Sequence, residues 1–509
     1  MAPELTMLPG DVIAEVLRRL EPHSLGSSRR VCRAWRDTVD ARLRGHLLSR
    51  SVRGIFINFP RFTFSEFFSR PSTGPAICGG LDFLPCTMGV KVTDHCNGLL
   101  LCRDQSPDDA RPCEYVVNPA TRRWTRLPQR PRPHVPGSGQ TAYLAFEPAV
   151  SSHYEVFLIP CVPAADESDD DDDDNPLLES EWPPASYVMH VFSSATQRWD
   201  ETTFLREGEA AGIVANMHTD SEDDRYRYRA VYWQSALYVH CQHGYLTRMS
   251  LLDHTYSVIK LPNAKHPNRH LGRSVRGVYF AISCSWDGFL QLWYLNESCS
   301  RTEWVLKHDT HLQIFEHEDQ LGRRWILQDV NHRKWFFEHN GNKYGDYRAP
   351  VEEKYDWNSD EDNIIDIEDN AGEGYHDGLY FLGFHPYKEI AFLISSGRGA
   401  RGMAYDWNNL KFQDLGNVCP ADFDPSCGLP RGETDTAFPY TPCWIGEFPG
   451  NELESLLEDE ELSMKKLELE EESNFTCMDE YELRKFCGHA KRVKDRTAKI
   501  RHRRRTTAR

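Results

Sequence analysis

The sequence lacks most of the features that would assign it to a class outright. No uninterrupted apolar run reaches the ~18 residues that a membrane-spanning helix needs, so neither such a helix nor a membrane partner is read from it. Its 15 cysteines are an odd number, scattered singly from Cys32 to Cys487, and none forms a Cys-x-x-Cys pair. That spacing signals neither a zinc ribbon nor a disulfide framework, and it suits reduced thiols of the cytosol or nucleus. Met1-Ala2-Pro3-Glu4-Leu5 offers no basic segment followed by an apolar one, so no secretory signal is read there. A Gly-x-Ser-x-Gly elbow, a P-loop and a His-Glu-x-x-His helix are all missing. His385 reads as a strand-end or turn histidine, and Cys241 and His243 alternate along one strand as core and edge positions do. The expectation is no catalytic residue, no metal site and no cofactor.

What is present points to more than one folded unit. A chain of 509 residues holds roughly two or three domains, and 40% hydrophobic residues supply ample core. The aromatic share of 12%, with 13 Trp and 21 Tyr, suits a β-rich protein, where flat side chains pack on pleated surfaces. A net charge of −18 argues against an overall basic surface, although the acids cluster in a few runs and the last stretch is basic.

Residues from about 5 to 48 read as a small helical module. Leu8-Pro9-Gly10-Asp11 opens a helix: Pro9 fixes φ, and Asp11 puts negative charge at the positive end of the dipole. Val12, Ile13, Val16, Leu17 and Leu20 then form one apolar stripe backed by Glu15, Arg18 and Arg19. Pro22 stops that helix, and Ser24 stands as the N-cap of a second one carrying Leu25, Val31, Cys32 and Trp35. A third helical stretch runs from Asp37 to about Leu48. The string Gly26-Ser27-Ser28 is a poor helix former. So short a module buries too little on its own and needs a partner or a neighbouring domain.

The string Leu8-Pro9-x-Asp11-Val12-Ile13-x-Glu15-Val16-Leu17-x-x-Leu20-x-Pro22-x-Ser24-Leu25, followed by Arg30-Val31-Cys32-Arg33-x-Trp35-Arg36, resembles an F-box. The resemblance implies a three-helix module that binds a Skp-type adaptor, which in turn binds a cullin scaffold. By that analogy Leu8, Pro9, Val12, Ile13, Val16, Leu17, Leu20, Leu25, Val31, Cys32 and Trp35 make up the adaptor-binding set. Val31, Cys32 and Trp35 either hold the helices together or complete the contact. The sequence does not divide these residues between core and interface.

From 52 to 449 the period switches to alternation, and one phrase recurs: a strand, a polar turn, an aromatic, then often Leu-Pro. It runs Tyr115 to Pro128, Val188 to Trp199, Met249 to Pro262, Leu292 to Trp304 and, more weakly, Met403 to Gly416. Each copy reads as a hairpin, spaced roughly 50 residues apart or twice that where a copy is hidden. A period of ~40–50 residues with four strands per unit is the signature of a β-propeller; a two-sheet sandwich is the competing fold but gives no reason for one phrase to recur. The ring is expected to close by pairing the early strand Arg53–Phe59 with a C-terminal strand such as Ile390–Ile394. Asn97-Gly98-Leu99-Leu100, Asn118 to Trp124, Phe192 to Trp199 and Gly383 to Glu389 resemble the kelch-like F-box-associated β-domains of plant proteins.

The acidic stretches at about 166–174 and 356–373 are read as solvated loops, because self-repulsion and the scarcity of apolar residues oppose folding there. Residues 450–509 change character again, to an acidic Leu/Glu/Lys-rich helix and then a basic tail from Lys485 to Arg509. That tail is consistent with a nuclear-import signal, simple disorder or, least favoured, a nucleic-acid contact. The reading as a whole is a non-catalytic substrate receptor of a Skp–cullin–F-box ubiquitin ligase, whose propeller binds a target protein that the sequence does not name. The alternative is a cullin-independent interaction scaffold using the same propeller.

Overall fold

The computed structural model describes residues 10–445 except 71–75, 87, 106–111, 135–137, 163–177, 218–228, 242–243, 263–267, 285–286, 299–300, 313–324, 333–363, 366–377, 396–399 and 423–432. The chain divides into one unit over 1–450 and a second over 451–509. Leu8, Pro9, the first acidic stretch and the whole C-terminal tail lie outside the described residues.

Alternating apolar residues bounded by tight turns form four-stranded antiparallel sheets, each of which we call a blade. Blade I comprises Val90–Cys96, Leu99–Asp104, Glu114–Asn118 and Arg123–Arg126. Blade II is Gln140–Phe146, Tyr154–Pro160, Ser186–Ser193 and Arg198–Glu207, and blade III is Ala230–Trp233, Ala236–Cys241, Tyr245–Ser250 and Thr255–Lys260; their outer strands pair in parallel from Leu205 to Glu207, which joins these two blades into one eight-stranded sheet. Blade IV is Arg269–Ser274, Gly277–Ser283, Phe289–Ser298 and Arg301–His311; blade V is Leu379–Phe384, Ile390–Ser395, Arg401–Asp406 and Lys411–Asn417. Blade VI is composite: Thr436–Tyr440, Gly54–Asn58, Glu66–Ser69 and the short Ile326–Leu327. The first strands of the blades contact one another in ring order, I to VI and back to I. The result is a propeller-like ring of six blades among the described residues.

Each recurring phrase is the third and fourth strand of a blade, I through V. The residue just before the fourth strand takes a left-handed φ in four of them: 55° at Arg122, 58° at Gln197, 53° at His254 and 56° at Leu410. The phrase recurs because the same turn recurs. The long interval before the fifth copy hides no extra blade among the described residues; it holds the first two strands of blade V and the strand given to blade VI. Within the second acidic stretch, Ile364–Ile365 pairs with blade V at Phe412 and Gln413, so that stretch is not loop throughout.

The ring closes differently from the sequence expectation. Gly54–Asn58 pairs with Thr436–Tyr440, not with Ile390–Ser395. The latter already has both edges taken, by Leu379–Phe384 and Arg401–Asp406. Asn58 and Asn118 reinforce the closure from the side: Asn58 Nδ2 donates to the Thr436 hydroxyl at 2.7 Å and Asn118 Nδ2 to the Cys443 carbonyl at 3.0 Å. Gly98, at φ 88° in the first turn of blade I, leaves no room for a Cβ, which would stand 2.6 Å from Cys443 Cβ.

Because blades I to V run up and down in the same order, their turns between first and second and between third and fourth strands emerge on one rim. These are short. The strands that flank the longer connections 161–185 and 208–229 meet them on the opposite rim.

Candidate functional site

The N-terminal module folds as Gly10–Arg18, Pro22–Ser28 and Arg33–Thr38, the last continuing through a π-helical turn at Val39–Leu43 and a tight turn at Arg44–Leu47. Pro22 therefore starts the second helix, Ser24 lies inside it, and Cys32 is the residue that precedes the third helix. A proline is tolerated at the first helical position because its missing N–H has no partner there anyway. The third helix begins at Arg33, not Asp37, so Trp35 belongs to it.

The sequence-expected set splits in two. Leu17 (1% exposed) and Leu25 (0%) join Val39, Leu43 and Leu47 in one apolar cluster with Leu99, Leu101, Phe146, Tyr154 and Phe192 of blades I and II; Ile13 and Trp35 pack against it, half-buried. Val12, Val16, Leu20 and Val31 face outward, Val16 at 54% and Val31 at 65%, and Cys32 is exposed as well. Val12 and Val16 are one helical turn apart, and Leu20 follows at the same spacing just beyond the helix end, so the three extend one stripe. What reads as one stripe in the sequence is two faces in the structure. One is glued to the ring; the other is left uncovered by the described residues.

The docking is close. Gly26 approaches Trp444 so tightly that a Cβ would lie 2.9 Å from its carbonyl oxygen, which explains a glycine in a helix that it weakens. His23 meets the Trp444 ring edge-on at 4.6 Å, and the Ser49 and Trp444 amides donate to Pro442 and Leu47 carbonyls at 2.9 Å. Inside the module, Arg29 grips Asp40 with two hydrogen bonds of 2.8 and 2.9 Å, and Arg42 pairs with Asp11. The module therefore sits on the short-turn rim.

Residues 5–46 match the F-box domain family. The helical module is an F-box domain. No curated protein matches the chain. Among solved structures it is similar to a prolyl endopeptidase (TM-score 0.31, 11% identity, covering 82% of this chain and 54% of that one). It is also similar to YCF48 bound to D1 peptide (0.28, 9%, 72% and 81%) and to the ulvan lyase of family PL25 (0.27, 10%, 71% and 75%). The chain thus spans about half the length of the endopeptidase it aligns with. At these scores the likenesses bear on neither fold nor activity.

Away from the F-box, the first strands of all six blades surround a cavity of about 620 Å³. Lys91, Arg103, Arg130, Arg229 and Arg273 line it, with Asp94, His95, Gln140 and Asp435. Burial pushes the Asp94 carboxyl up to about 7, against the pull of the Leu144 amide, which donates to it at 2.7 Å, and of nearby Arg229. Burial and then the Arg273 and Arg229 charges pull His95 down to about 3, so its ring is neutral. Sequence reasoning missed this lining altogether, since its residues come from separate strands and form no local pattern.

His134 Nε2 and His190 Nε2 lie 3.5 and 3.7 Å from Glu201 Oε1, close enough to suggest a shared cation. Their rings, however, stack at 4.6 Å with an interplanar angle of 11°. Lone pairs in two such parallel planes do not converge on one ion, so these rotamers do not make a coordination site. His385 ends the first strand of blade V, buried, with its Nδ1 accepting from the Tyr387 amide at 3.0 Å and its basicity lowered to about 4 by burial. The Cys241 thiol is pushed up to about 11 by burial, the opposite of an activated nucleophile. His243 lies outside the described residues.

Proposed function

We propose that this protein is the substrate-receptor subunit of a Skp–cullin–F-box ubiquitin ligase. The observation that carries the reading is the division of the F-box into a face docked on the ring and an outward face of Val12, Val16, Leu20 and Val31. Apolar residues this exposed, on a domain whose family binds Skp-type adaptors, form a surface that removes its area from water by association. The adaptor would occupy that face, joined by Leu8 and Pro9, and would connect to the cullin. The ring, kelch-like and F-box-associated in kind, would present its long-loop rim to the target. Binding surfaces on loops held by a rigid scaffold suit that task. The receptor itself would need no chemistry, because transfer follows from holding a target lysine beside a charged ubiquitin carrier. The protein would work in the cytosol or nucleus, with 485–509 as a candidate import signal.

The test is co-precipitation with a Skp-type adaptor. Val16→Asp should abolish capture while leaving the melting temperature unchanged, since Val16 contributes little to the core. Capture that survives Val16→Asp and Val12→Asp together, or an absence of capture by the unmodified chain, refutes the reading and favours a scaffold without a cullin.

A further inference from the structure

The charge of the central channel runs opposite to that of the protein. The chain as a whole carries −18, yet the cavity is lined by five cationic side chains. Arg103 and Arg130 both turn to one carboxylate, Glu114, with Arg103 Nη2 at 3.0 Å. Lys91 reaches Asp435 at 3.3 Å. Arg229 lies near Asp94 and donates to the Ala437 carbonyl at 3.2 Å. Arg273 donates to Asn97 Oδ1 at 2.6 Å and lies over the Tyr387 ring at 5.7 Å, both neutral groups. Five cations thus meet three carboxylates among the described residues.

An excess of cations inside a ring of apolar blades costs free energy that a purely structural strut would not need, because three carboxylates replace only part of the hydration that five cations lose. The Gln140 side-chain amide adds a buried Nε2 donor with no acceptor among the described residues. Cavities of about 300–1,000 Å³ with a few convergent polar groups are the size that holds small ligands. Guanidinium groups fit phosphate and carboxylate oxygens in pairs, with charge-assisted hydrogen bonds.

We propose that the central channel binds a small organic anion bearing two or more phosphate or carboxylate groups. The site is independent of the adaptor face and does not rest on the ligase reading. The same chemistry could arrive as a free metabolite or as phosphorylated side chains of a bound protein, and two probes separate these sources. Calorimetric titration of the full chain with inositol hexakisphosphate and with citrate tests the free anion; a doubly phosphorylated peptide tests the protein-borne one. At least one probe should bind, more weakly as salt rises. Arg273→Gln and Arg103→Gln should each lower its affinity about 10- to 100-fold, as loss of a charged hydrogen bond does. Arg103→Gln leaves Arg130 on Glu114, so it should keep the fold even if Arg273→Gln does not. Failure of all three probes at millimolar concentration overturns the proposal, and so does binding that Arg103→Gln leaves unchanged.

Discussion

Every residue of the strand Gly277–Ser283 in blade IV is buried, with Tyr279 and Phe280 at 0% exposure. The first helix draws on the same kinds of apolar residue, yet Leu17 is buried while its neighbour Val16 stands 54% exposed. The strand has a sheet neighbour on each edge and a packed blade on each face, so all its side chains are enclosed. The helix is packed on one side only, against the rest of its own module and through it the short-turn rim, so only the stripe on that side is covered. An exposed apolar stripe within a structure that is otherwise well buried marks an unfilled interface rather than a weak core.

The largest effect should come from removing the strand that closes the ring. A fragment beginning at residue 62 lacks Gly54–Asn58, a central strand of blade VI paired on both edges. It should show no cooperative thermal transition, whereas a fragment beginning at residue 49 keeps the strand and should melt as a unit. Normal melting of the shorter piece would break the claim that the ring is closed there.

Next in size, Phe280→Ala should lower unfolding free energy by about 3–5 kcal/mol in denaturant titration. Val16→Ala should shift it by no more than ~0.5 kcal/mol. Equal effects at the two positions would erase the contrast between strand and helix.

A smaller effect should appear with acid. His240 is buried in blade III against the Phe280 ring at 5.8 Å, with neither ring nitrogen hydrogen-bonded among the described residues. Burial, helped by the Arg269 and Arg229 charges, lowers its pKa to about 3. Below its unfolded value of ~6.5 the unfolded chain takes up a proton that the folded one refuses, so stability falls as pH drops from there toward 3. The loss reaches about 2 kcal/mol at pH 5. His95 and His385 act in the same direction. Asp94 opposes them, because its folded carboxyl keeps its proton up to about 7 and so favours the folded state most at low pH. His240→Leu should therefore flatten the fall in melting temperature between pH 7.5 and pH 5. An unchanged slope would show that the imidazole is hydrated.

Much of the architecture is legible locally. The phrase from Tyr115 to Pro128 and its copies reveal hairpins because a turn is set by residues next to each other in the chain, and here by one left-handed residue before the fourth strand. The F-box ladder is legible for the same reason, its apolar spacing being that of a helix. Closure is misread because Ile390–Ile394 and Thr436–Tyr440 are both good strands, and choosing between them needs the edges already occupied in blade V. The glycine at 26 looks like a flaw until Trp444 is seen against it.

The sequence by itself determined the two kinds of unit, their order, the repeated hairpins and the residues from which an adaptor surface is drawn. Only the tertiary structure decided which of those residues face outward, which strand closes the ring, and that Arg103, Arg130, Arg229 and Arg273 share one channel. The reason is distance along the chain. Turn and helix preferences act between residues a few positions apart, whereas burial and charge depend on partners hundreds of positions away, as Asn118 is from Cys443.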